Sequence, residues 1–161
     1  KAMRRNVEKH IRWLKREIAT LDQEINQLVE SDPVQKEKAA KLQTIKGYGR
    51  VCTFTLLAYL PELGTVSRKR IAALAGVAPY NRDSGKSSFR RHIRGGRSHL
   101  RACLYMGAVA AIRHDSHMRA YYLHLINDNQ RPKMVALVAV MRKMLIAANS
   151  LLKNPDFVLA S

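Results

Sequence analysis

The sequence predicts an all-α protein. A coiled-coil helix is expected over residues 1–31. A compact helical domain follows over 32–161, with a helix-hairpin-helix-like element and a long basic loop. Three observations predict this. Apolar residues recur at helical spacing through most of the chain. Glycine and proline, the main helix breakers, number only 8 and 5 among 161 residues. The helical pattern fails in one long stretch, 76–98. An apolar share of 47% suits a folded core and excludes a disordered chain.

The first segment is the most regular. Val7, Ile11, Leu14, Ile18, Leu21, Ile25 and Leu28 step by fours and threes. Isoleucines at a and mostly leucines at d favour a two-stranded coil, so a homodimer or higher homo-oligomer is expected through this helix. Its orientation stays open, because about three heptads are near the lower limit for the motif. Ser31, Asp32 and Pro33 break and restart the helix. Ser31 or Asp32 can cap, and Pro33 suits the first helical position. A short helix is expected from about Val34 to Thr44, docked by Leu42 and Ile45.

Gly47-Tyr48-Gly49 precedes the apolar run 51–60. A Gly-x-Gly turn ahead of a helix can aim backbone N–H groups at a phosphate, as in helix-hairpin-helix elements. A helix over about Ser67 to Ala75 follows, capped by Ser67. Arg68, Lys69 and Arg70 stand in its first turn, where the helix dipole disfavours cations and an anionic partner would relieve the conflict. Ser98 is expected to cap a helix to about Arg113, with Ala102, Gly107, Ala108, Ala110 and Ala111 allowing close packing. Ser116 to Ile126 reads as amphipathic through Met118, Tyr121, Tyr122 and Leu125. Lys133 to Leu152, apolar on most sides, reads as the central core helix.

Lys+Arg is 29 against Asp+Glu 12, a formal net charge of +17. Nucleic acid is the usual partner for such an excess, with an anionic membrane surface as the rival. No stretch reads as the roughly 20 uncharged apolar residues of a membrane span. No secretory signal is evident, so no membrane partner and a cytoplasmic location are expected, nucleoid-associated if the partner is DNA. Cys52 and Cys103 sit in apolar helical runs and read as buried thiols in a reducing compartment. No Cys or His pair has zinc-ligand spacing, so no metal site is expected in this chain. The chain opens at Lys1 directly in a helical pattern, which suggests a fragment of a longer protein.

The failed stretch, 76–98, is where chemistry is expected. It holds Arg82, Lys86, Arg90, Arg91, Arg94 and Arg97 against the single acid Asp83, and a short β-ribbon can form around Phe89 to Ile93. Ser84, in Arg82-Asp83-Ser84-Gly85-Lys86, is a candidate nucleophile for phosphodiester transfer, since arginines suit the charge that develops on phosphate oxygens. Its hydroxyl needs a base or a metal, and Asp83 and His92 are both open assignments. Asp-Ser-Gly also makes ordinary turns.

Gly47-Tyr48-Gly49, Ala75-Gly76-Val77-Ala78-Pro79, Ser84-Gly85-Lys86 and Ile93-x-Gly95-Gly96-Arg97-x-x-Leu100-Arg101 occur in that order. The series resembles the C-terminal, serine-containing domain of insertion-sequence transposases of the pilin-gene-invertase type, the IS-one-ten family or bridge recombinases. The likeness covers roughly residues 42–153, and the upstream seam matches that family's linking coil. It implies a DNA transposase or site-specific recombinase in which Ser84 attacks DNA. It implies non-coding guide RNA as a second partner. It also implies a separate RNase-H-like domain whose acids bind Mg2+, expected for a full-length protein and not for this chain. Many relatives have two serines before the glycine. Here Asp83 takes the first position, leaving Ser84 at that step with Ser87 and Ser88 nearby. The expected nucleic-acid contacts are Gly47, Gly49, Arg68, Lys69, Arg82, Lys86, Arg90, Arg91, Arg94, Arg97 and Arg101. The fragment alone is expected to be inactive. The alternative is a non-catalytic helix-hairpin-helix module that binds DNA or RNA.

Overall fold

A computed structural model describes residues 2–80, 92–154 and 156–157. In chain order the described elements are α1 (Ala2–Ser31), α2 (Pro33–Gln43), α3 (Arg50–Tyr59), α4 (Arg68–Leu74), β1 (Pro79–Tyr80), β2 (His92–Ile93), α5 (Ser98–His114), α6 (Ser116–Asn127) and α7 (Lys133–Lys153). Among the described residues the fold is all-α apart from one pair of two-residue strands. The chain divides into two compact units, residues 1–38 and 39–161. Helix α1 ends at Ser31, and the boundary between the two units lies inside α2.

In the first unit, α1 has no buried residue. Every seam side chain from Val7 to Leu28 is at least 40% exposed, so the apolar stripe of this helix is uncovered. Asp32 restarts the chain: its Oδ1 accepts the amides of Val34 at 2.9 Å and Gln35 at 3.3 Å. Pro33 takes the first helical position, where its missing N–H costs nothing.

The second unit is built around α7. Helices α4, α5 and α6 pack on α7, and α3 and α6 pack on α5. Leu42, Leu56, Ile71, Leu100, Leu104, Val140, Met144 and Leu145 are fully buried, each contributing about 1.5–3 kcal/mol of burial. Helix α7 is the one described helix long and apolar enough to cross a membrane, which corrects the expectation that no segment has that composition. Its Ala136, Val140, Met144 and Ala148 face are buried because neighbours cover it on several sides, and it serves as the core helix.

Three local devices set the helix starts. Ser67 Oγ accepts the Arg70 amide at 3.3 Å and begins α4. Asp115 Oδ1 accepts the Met118 amide at 3.0 Å and begins α6. At α5 the cap position belongs to Arg97, whereas Ser98 was expected there. The Arg97 carbonyl accepts the Leu100 and Arg101 amides at 3.1 and 3.3 Å, so Ser98 is already helical. On α5, Gly107, Ala108 and Ala111 are buried and Ala110 is half-buried, while Ala102 lies on the exposed face. Helix α6 buries no residue completely. Its Met118, Tyr121, Tyr122 and Leu125 are half-buried, and Lys143 Nζ sits 4.4 Å from the Tyr121 ring centre. Cys52 and Cys103 are free thiols, and Cys52 Sγ donates to the Cys103 carbonyl at 3.8 Å.

Candidate functional site

The strands β1 and β2 pair antiparallel, Pro79 opposite Ile93 and Tyr80 opposite His92. Residues 81–91 join them in sequence. The candidate nucleophile Ser84, the alternates Ser87 and Ser88, and Arg82, Lys86, Arg90 and Arg91 lie in that interval, outside the described residues. The described residues define the root from which this interval springs.

Backbone contact holds the root together. Gly76 and Gly96 adopt φ +71° and +68°, a region that costs side-chain-bearing residues about 1–2 kcal/mol. A Cβ on Gly96 would strike the Gly76 backbone, and one on Gly76 would strike the Gly95 carbonyl. Two backbone segments therefore approach more closely than any side chain permits. The Arg97 amide donates to the Leu74 carbonyl at 3.1 Å, continuing the join. Arg101 Nη1 donates to the Gly95 carbonyl from the first turns of α5.

Arg97, one of the expected nucleic-acid contacts, holds Glu62 with its guanidinium, Nη1 to Oε2 at 2.8 Å and Nη2 to Oε1 at 2.7 Å. Nη1 also donates to the Tyr59 carbonyl at 2.7 Å. The Arg97 fork lowers the Glu62 carboxyl to about 2, with help from a backbone hydrogen bond and from the charge of Arg70. Glu62 and Tyr59 were not singled out from the sequence, and Arg70 entered only as a cation in the first turn of α4. Glu62 lies 35 residues from Arg97, so no local pattern pairs them. His99 adds a tilted ring contact to Tyr59, centres 5.7 Å apart.

The Gly-x-Gly turn divides in two. Gly47 has φ +99°, and a Cβ there would meet the Gly107 carbonyl and Ala111 on α5. A Cβ added at Gly107 would come within 3.3 Å of the Tyr48 ring, and Tyr48 is 2% exposed. This half of the turn faces the core. Gly49 is exposed, precedes α3 without a side-chain cap, and has open space beside it. Helix α3 packs on α5 and α4 on α7, so the two do not pair as the expected helix-hairpin-helix element would require. Arg68 and Lys69 are exposed at the start of α4, and Arg94 is exposed beside β2.

Among the described residues no three His, Cys, Asp or Glu side chains gather as a metal-binding set. An open cavity of about 340 Å³ lies between the strand pair and α7, walled by Val77, Ile93, Val135 and Val138 with His92 and Arg142 as its polar members.

The chain is 28% identical over 150 residues to the pilin gene-inverting protein of Moraxella bovis, an alignment covering 90% of this chain and 46% of that protein. The Moraxella lacunata protein of the same name aligns with the same identity and coverage. An uncharacterised 42 kDa protein of insertion element IS900 from Mycobacterium paratuberculosis is 30% identical over 138 residues, 81% of this chain and 34% of that protein. The chain thus spans less than half the length of these curated relatives. The model of the transposase IS116/IS110/IS902 family matches residues 39–123. That match takes in just over half of the chain, from the end of α2 through the strand pair and α5 into α6, and the chain belongs to that family.

Proposed function

We propose that this chain is the serine-bearing part of a DNA transposase or site-specific recombinase. The reading is supported above all by the root described at Gly76, Gly95–Arg97 and Arg101. Two close-packed glycine segments and an ion pair fix both arms that lead to residue 84, and the family match runs through them. Such rigid support suits a nucleophile that must meet a phosphorus atom in line.

In this reading the Ser84 oxygen attacks a DNA phosphorus. A serine–phosphate bond forms, the bond from phosphorus to the deoxyribose oxygen breaks, and that oxygen leaves with a proton. The serine proton passes to a base, for which His92 and Asp83 are the open candidates. Attack by a sugar hydroxyl of the exchanged strand reverses these events and frees the serine. One phosphodiester is made for each one broken, so no external energy source is required. Arg82, Lys86, Arg90 and Arg91 would hold the phosphate oxygens, and exposed Arg94, Arg68 and Lys69 would extend the contact along the strand. Gly49 and the uncapped start of α3 would receive a further backbone phosphate.

Self-association of α1 through its exposed seam would bring two such serines to two strands. A guide RNA remains part of the proposal, on the resemblance alone. Mg2+ bound to acids has no fitting set among the described residues, so no step is assigned to it here. The test is Ser84→Ala in a full-length protein carrying this chain. Recombination should be lost while DNA binding stays within about threefold of the parent. Recombination that survives in the variant would remove Ser84 from the mechanism and leave a DNA- or RNA-binding module.

A further inference from the structure

We propose that Arg97 and Glu62 are positioning residues that set the strand pair on the helical body, and that Arg97 does not serve as a phosphate ligand. The role of the strand pair in DNA transfer rests on the reading above.

The commitment of the guanidinium carries the inference. Both terminal nitrogens of Arg97 engage Glu62 as a bidentate fork, and one also reaches the Tyr59 carbonyl. Three of its five N–H donors are taken and its charge is offset by the carboxylate, so the fork is poorly placed to donate to phosphate oxygens as well. The backbone of the same residue is equally committed, with its amide on Leu74 and its carbonyl starting α5. Arg97 therefore joins three elements: the end of α4, the start of α5 and the turn after α3.

Glu62 is in turn fixed from the core. Its carbonyl accepts the Thr65 amide at 3.0 Å and the Thr65 hydroxyl at 2.8 Å. Two residues on, the Gly64 amide donates to Asn149 Oδ1 at 2.9 Å, and Asn149 Nδ2 donates to the Val66 carbonyl at 3.1 Å. Asn149 is 2% exposed on α7. A continuous polar path thus runs from the core helix through the 62–66 turn to Glu62, Arg97 and Gly96. Gly96 lies against Gly76, so the path reaches both arms of the strand pair. A lysine at 97 would keep the charge but could not reproduce the planar two-point grip.

The test uses a full-length protein with R97K, E62Q, R97E and the exchanged pair E62R/R97E, with heat denaturation as a folding check. Single-turnover strand transfer and DNA affinity are measured separately. R97K and E62Q should fold, keep DNA affinity within about threefold, and slow strand transfer by about tenfold or more. The exchanged pair should recover most of the rate lost in R97E. A phosphate ligand would behave differently: R97E would weaken DNA binding by more than about tenfold, the exchange would not restore it, and E62Q would bind DNA as well or better. That pattern, or wild-type rates in both R97K and E62Q, overturns the proposal. Ser84→Ala measured alongside keeps the two ideas apart. If it transfers strands normally, the serine reading has failed, while the affinities of R97E and the exchanged pair still decide whether Arg97 is a phosphate ligand.

Discussion

Asn149 on α7 receives the Gly64 amide at 2.9 Å, and both ends of its buried side chain are occupied by the turn that carries Glu62. Removing them strands two backbone groups near the core. Asn149→Ala should cost about 1–3 kcal/mol of stability, and Asn149→Asp should also be destabilising because it loses the donor to Val66 and buries a carboxyl. Thermal melts of the variants check this. A change below about 0.5 kcal/mol would mean that the turn is held elsewhere.

Tyr48 and Thr53 present the opposite case. Among the described residues neither buried hydroxyl has a hydrogen-bond partner, and burial pushes the Tyr48 phenol well above its ordinary range. Tyr48→Phe and Thr53→Val should therefore be neutral or stabilising, by up to about 1 kcal/mol each. Chemical denaturation decides the sign. A loss above about 1 kcal/mol would reveal a partner for the hydroxyl.

Gly95 and Gly96 make an internal control. Both adopt φ near +70°, but a Cβ on Gly95 meets open space while one on Gly96 meets the Gly76 backbone. Gly95→Ala should cost only the left-handed penalty, about 1–2 kcal/mol, and Gly96→Ala distinctly more. Equal losses in melts of the two variants would contradict the close approach of the two arms.

The Glu62–Arg97 pair predicts a pH dependence. Glu62 falls from an ordinary 4.5 to about 2 on folding. A lowered folded value means that its stabilising effect is complete above about 4.5 and is lost as pH drops towards 2. The effect should be small, since the two side chains remain 36% and 31% exposed and water screens them. Stability measured against pH should fall more gently in E62Q than in the parent over that window. Parallel curves would argue that the pair is not formed in solution.

What the sequence disclosed follows the range of the interactions. Asp32, Pro33 and Ser67 act on residues two to four positions away, and their caps were legible. The core role of α7 was legible because one helix carries so many apolar positions. The start of α5 was misread by one residue, because Arg97 takes the cap position through its backbone, which residue type does not advertise. The tight turn at Gly47 was visible, but not its target, Gly107, which lies 60 residues on. The pairing of Arg97 with Glu62 was not legible because the two are 35 residues apart. The expected nucleophile was legible only as a residue type in a motif, since the described structure stops on either side of it.

The most direct measurement of the central claim is to react a full-length protein with a DNA substrate nicked so that religation cannot occur, then digest the denatured products and map the DNA-linked peptide by mass spectrometry. A nucleotide joined through phosphate to Ser84, and no adduct in Ser84→Ala, is the expected result. Cleaved DNA with no protein attached, or an adduct on another residue, would contradict it.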